Sequence, residues 1–162
     1  MEKKFILTDK FVINSFGIKL FQIKCTKSFK YAQKGDFGGY VEKEGNLDQE
    51  NDAWVSGDAW VSGNARVSGD AWVSGNARVS GDADIENDNE HCGFDGFGSC
   101  NRHTHAYMTK EKKVEIICGC FRGSIEEFEK KVEETYSGTV YEKQYKSIIN
   151  VIKIKFGLTD FT

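Results

Sequence analysis

The chain has 162 residues, 39% of them hydrophobic, and a net charge of −3, enough apolar content for a core in one or two small domains. No apolar run is long enough for a signal peptide or a membrane-spanning helix, so a cytoplasmic setting is expected, with no membrane partner. There are no prolines, and the five cysteines, an odd number, fit reduced thiols better than a disulfide framework.

Charge divides the chain into three segments. Residues 1–36 hold eight lysines against three acids, residues 37–90 three basic residues against twelve acids, and residues 91–162 eleven against ten. In the first segment, residues 4–26 alternate like strands: Phe5-Ile6-Leu7, then Phe11-Val12-Ile13, then Ile18 to Ile23, with breaks at Asp9-Lys10 and Gly17. A small antiparallel cap is expected there. Lys27, Lys30 and Lys34 in the connector read as solvated linker residues, with phosphate contact as the alternative.

From Phe37 to Glu90 the sequence divides into nine hexads without an insertion: FGGYVE, KEGNLD, QENDAW, VSGDAW, VSGNAR, VSGDAW, VSGNAR, VSGDAD and IENDNE. A short fixed period of this kind predicts a solenoid whose repeats pack only on their neighbours. Six of the nine hexads open on an aliphatic residue (Val55, Val61, Val67, Val73, Val79, Ile85) and most carry Gly-Asp or Gly-Asn, five of them before alanine. Those pairs tolerate positive φ, so each hexad reads as one short strand and one corner.

These hexads resemble the left-handed parallel β-helix of hexapeptide-repeat proteins, a triangular prism with three hexads per coil. The resemblance implies three coils over residues 37–90, with residues eighteen apart stacked at the ~4.8 Å spacing of neighbouring strands. One face then stacks Glu42, Trp60 and Arg78, a second Asp48, Arg66 and Asp84, and a third Trp54, Trp72 and Glu90. Alternation turns the first and fifth positions inward and the sixth outward. Outward Trp is unusual and expects a partner. Because prisms of this fold commonly pack around a threefold axis, the resemblance implies a homotrimer, with a homodimer second. The acids Asp52, Asp58, Asp70, Asp82 and Asp88 occupy corners, where turn chemistry selects them; they also make a block that repels nucleic acid and suits a basic protein surface.

Residues 91–105, HCGFDGFGSCNRHTH, hold all three histidines and two cysteines. With Cys118 and Cys120 they raise the question of zinc, yet the spacing argues against it: Cys92 and Cys100 are eight apart, and Cys118-Gly119-Cys120 is not a zinc knuckle. A Gly-rich loop is expected, followed by a hairpin of Thr104–Tyr107 and Val114–Cys118 around the turn Lys110–Lys113. His103 and His105 share a face if they lie on a strand, and His91, Cys92 and Cys100 are the other first candidates for a metal. No metal or cofactor is expected.

Ser124 with Glu127 makes a capping box, and Ile125, Phe128 and Val132 fall on one helical face. Ser137-Gly138-Thr139 ends that helix and caps a second, along which Tyr141, Tyr145, Ile148, Ile149, Ile152 and Phe156 follow the 3.6 period. The stripe reads as core. The expected fold is therefore mainly β: the three-coil left-handed helix, an N-terminal β cap at 1–36, and a C-terminal hairpin with two helices at 91–162.

The segments Lys34-Gly35-Asp36-Phe37-Gly38-Gly39-Tyr40-Val41-Glu42, Glu44-Gly45-Asn46-Leu47 and Ile117-Cys118-Gly119-Cys120-Phe121-Arg122-Gly123-Ser124, with Glu127-Phe128, resemble phage and prophage proteins of hexapeptide-repeat type over roughly residues 20–156. The histidine and cysteine loop departs from that pattern. The resemblance implies a non-enzymatic binding protein in a host cytoplasm, such as an inhibitor of a bacterial defence system (anti-CRISPR or similar). Its interface would be the repeat block: Trp54, Trp60, Trp72, Arg66, Arg78, Asp48 and Asp84. A self-assembling structural solenoid and a hexapeptide-repeat acyltransferase are the alternatives. Catalytic residues are not expected, since no loop interrupts the repeats, every histidine lies beyond them, and fold alone does not assign an activity.

Overall fold

The computed structural model describes residues 2–158 and is mainly β with two α-helices. Two compact units divide in sequence between Asp88 and Asn89.

In the first unit, β1 (Phe5–Ile13) and β2 (Lys19–Cys25) form the expected antiparallel hairpin. Asn14 closes its turn by accepting from the amides of Phe16 and Ile18 at 2.9 and 3.0 Å. Strand β2 pairs antiparallel with β3 (Phe37–Val41). The two-residue strands of the repeats follow: β4 (Trp54–Val55), β5 (Trp60–Val61), β6 (Arg66–Val67), β7 (Trp72–Val73), β8 (Arg78–Val79) and β9 (Asp84–Ile85). Their pairing is parallel and falls into three ladders, β3-β5-β8, β4-β7 and β6-β9. The first ladder continues the hairpin, giving one mixed sheet in the order β1-β2-β3-β5-β8. The hairpin thus covers strand groups that the first repeat would leave unpaired.

The eighteen-residue interval holds from Trp54 onward: Trp54 faces Trp72, Trp60 faces Arg78, and Arg66 faces Asp84. Val55, Val61, Val67, Val73, Val79 and Ile85 are buried, as are the alanines from Ala53 to Ala83. The period's inward positions are therefore as expected.

Before Trp54 the register differs. Tyr40, not Glu42, lies opposite Trp60, and Leu47 lies opposite Val67, an interval of twenty. The hexads are not free of insertion, because two extra residues sit between Leu47 and Trp54. Ahead of them, KEGN forms a short 3-10 turn (Glu44–Asn46) in place of a strand. The buried Asn46 side chain donates to the carbonyls of Gly63 and Ala65 at 3.2 and 2.8 Å. The longer corner that follows is held by Asp48, whose carboxylate accepts from the Glu50 amide at 2.9 Å and from Asn51 Nδ2 at 2.7 Å. Lys4 reaches the same corner, its ammonium donating to the carbonyls of Asn51 and Ala53 at 2.6 Å each. Burial pulls the Lys4 ammonium down to about 8, while Asp48 and Asp52 act to keep it charged.

In the second unit, β10 (His91–Phe97), β11 (Arg102–Met108), β12 (Val114–Cys118) and β13 (Phe121–Ser124) form an antiparallel meander. The expected hairpin is β11-β12; the expected Gly-rich loop is instead largely strand β10, and β13 adds a fourth strand. Gly93 lies opposite His105, where a side chain would collide with the His103 and His105 rings, so this glycine belongs to the sheet's packing and not to a loop. Helices α1 (Ile125–Tyr136) and α2 (Val140–Lys155) cover one face, burying Ala106, Ile116 and Cys118 under Phe128, Tyr145 and Ile149. The capping box is present: Ser124 Oγ accepts from the Glu127 amide at 3.1 Å, and Glu127 accepts from the Ser124 amide at 3.4 Å.

Candidate functional site

Outward positions of the repeats do not present bare aromatics. Trp54 is 2% exposed, which corrects the expectation that it stands in water. Phe29 and Phe5 meet it edge-on, with ring centres 5.3 and 6.5 Å away. Trp60 lies beneath the Arg78 guanidinium, 3.9 Å from the ring centre, and Arg78 also donates to the Asp58 carbonyl at 2.8 Å. Burial lowers the Arg78 pKa from its usual value, and the ring face offsets part of that lost hydration. Trp72 is 43% exposed; it stacks on Tyr31 at 5.0 Å and donates from Nε1 to Ser56 Oγ at 2.8 Å. Each tryptophan has found its partner within the chain.

The charges are more open. Arg66 is half exposed and reaches Asp48 only at 4.0 Å, and Asp84, directly opposite it, makes no ion pair among the described residues. Hydrogen bonds from Glu50 and Asn51 outweigh the burial of Asp48 and hold its carboxyl below the usual range. The corner acids Asp58, Asp70 and Asp82 are exposed. Asp58 stacks over Asn76, and Asn64 over Asp82, so two carboxylates do not sit at strand spacing on those corners, where they would repel.

On the sheet face away from the helices, the second unit gathers its three histidines into one hydrogen-bonded row. Asp95 Oδ1 is 2.7 Å from His103 Nδ1, His103 Nε2 is 2.9 Å from His105 Nδ1, and His105 Nε2 is 3.0 Å from His91 Nδ1. His105 is buried, and that burial, with the two neighbouring imidazoles, pushes its pKa well below the usual histidine value. No family model matches the chain, and no curated protein matches it.

Both His105 nitrogens are engaged by other rings, an arrangement for passing a proton rather than for closing on one ion. With Asp95 ionised and the rings neutral, His103 donates to Asp95, His105 to His103 and His91 to His105. A proton entering at His91 and passed along the row to Asp95 reverses the donors without moving a heavy atom. Cys92 lies on the opposite face, against the helices, and Cys100 is exposed at the strand connection. Among the described residues no group of three or more such side chains is arranged to hold a metal ion. The alternation of His103 and His105 signalled the shared face; Asp95 and Gly93 carried no such signal, because only the strand register brings them alongside.

Proposed function

We propose that the chain is a non-enzymatic binding protein whose acidic repeat block docks a protein with a basic surface. The observation that carries this reading is the set of exposed corner acids, Asp58, Asp70 and Asp82, none ion-paired among the described residues, on a block that holds twelve acids against three basic residues. A rigid array of one sign raises association rate and selects partners of the other sign. Parallel pairing at eighteen-residue intervals and the buried valines support the finer architecture proposed with it, a left-handed prism of three coils. In the phage setting the partner is a host defence protein in the host cytoplasm. Association as a homotrimer, with a homodimer second, is a weaker proposal that rests on Trp72, since Trp54 is covered.

The test is comparative capture from host lysate. Asp58→Asn/Asp70→Asn/Asp82→Asn keeps the corner chemistry, because Asn64 and Asn76 already occupy equivalent positions. A basic protein held by the native chain and lost both by the variant and in ~1 M salt, where screening reaches about 3 Å, supports the proposal. Equal capture by chain and variant would sink it, and capture of nothing would favour a structural role.

A further inference from the structure

A cavity of about 550 Å³ opens in the C-terminal unit between the β12-β13 end of the sheet and α1, within the size range of small-molecule sites. One wall is aromatic. Phe121 and Phe128 lie 5.1 Å apart, Phe128 meets Tyr145 edge-on at 5.6 Å, and Tyr145 stacks on Tyr136 at 5.6 Å. The rest is cationic: Arg102, Arg122 and Lys131 line the cavity, and among the described residues no carboxylate does. Helix α1 contains five glutamates, yet its cavity side shows Lys131 and Thr135 between apolar residues. The acids are kept off this surface.

The cations differ in how far they are satisfied. Arg122 has Glu115 at 3.7 Å. Arg102 and Lys131 form no ion pair among the described residues; the side-chain partner of Arg102 is the Cys100 thiol at 3.7 Å. The turn itself seats Arg102. Gly119, at φ +60°, is the first of two residues linking Cys118 to Phe121, the position where such hairpins take glycine. A Cβ there would overlap the Arg102 guanidinium, so the turn's glycine also makes the space the cation occupies. Two unneutralised cations at an open cavity with one aromatic wall, and a third only partly neutralised, match the charge of a phosphate better than that of a carboxylate.

We propose that this cavity binds a phosphate monoester carried on a flat aromatic body, the phosphate held by Arg102, Lys131 and Arg122 and the ring by the Phe121, Phe128 and Tyr136 wall. The site is independent of the acidic repeat and of what docks there.

Titration of the intact chain with phenyl phosphate, followed by amide resonances, tests the assignment. Saturable shifts at Gly119, Lys131 and Thr135 are expected, with weaker binding of benzoate and of inorganic phosphate and none of phenol. Lys131→Gln, at an exposed helix position that leaves the fold intact, should weaken phenyl phosphate about tenfold, the scale of one charge-assisted contact. Lys130→Gln, outside the lining, should not. Absence of saturable shifts at millimolar phenyl phosphate, equal affinity for inorganic phosphate, or an unaffected Lys131→Gln variant would each overturn the proposal.

Discussion

The repeat block and the C-terminal unit solve the same problem of burying apolar surface in opposite ways. In the repeats a residue's neighbour lies eighteen positions away and is nearly a copy of itself, valine on valine and alanine on alanine. In the C-terminal unit the neighbours are unlike and follow no fixed interval: the Gly98 amide donates to Gln144 at 2.8 Å, and Thr104 donates to the Cys118 thiol at 3.3 Å. Repetition makes a rigid wall and leaves its charges outside. Irregular packing gathers polar side chains into contact with one another, which is where a histidine row and a lined cavity can arise.

The largest effect should come from breaking the repeated core. Val67 is fully buried, with Leu47 and Ile85 on either side. Val67→Asp places an unpaired charge there and should cost more than about 3 kcal/mol. A denaturant midpoint unchanged from the native chain would mean that this pairing is wrong.

The irregular corner tests the same wall where its repetition fails. Lys4→Met leaves the carbonyls of Asn51 and Ala53 without their donor, and a loss of about 2 kcal/mol is expected after crediting the relief of a buried charge. A neutral or stabilising result would show that the corner holds without Lys4.

The C-terminal unit should respond to pH where the repeats do not. The pKa of His105 is depressed in the fold from 6.5, so on acidification the unfolded chain takes up the proton first. Its contribution is fully present above about pH 6.5 and is lost as pH falls below that, at no more than about 1.4 kcal/mol per unit for one group. Thermal melts from pH 7.5 to 5.5 should slope downward for the native chain, and less for His105→Gln. Parallel slopes would remove His105 from the account.

The smallest effect is expected at the repeat surface. Arg66 reaches Asp48 at 4.0 Å and is half exposed, so Arg66→Ala should change stability by less than ~1 kcal/mol. A larger loss, accompanied by a fall in mass by light scattering, would mark that face as an interface between copies of the chain.

Much of the architecture was legible because it is written in local periods. The hexad marks strand and corner, the Ser124–Glu127 spacing marks a helix start, and His103 with His105 marks one strand face. The β12-β13 hairpin was not foreseen, because Cys118 and Cys120 beside its turn read as candidate metal ligands. The site was less legible, since Asp95, Gly93, Arg102 and Lys131 are unremarkable until the sheet register and α1 bring them beside their partners.

By itself the sequence determined the repeat interval, the inward valines and alanines, the acidic surface and the two capped helices, because each depends on side-chain alternation or turn chemistry within a few residues. The tertiary structure decided the two-residue offset before Trp54, the covering of Trp54 by Phe5 and Phe29, the histidine row, and the cavity with its unneutralised cations. Those depend on which surfaces meet in space at no fixed sequence interval, and that choice is made by packing and hydrogen-bond satisfaction over a whole unit rather than by any local period.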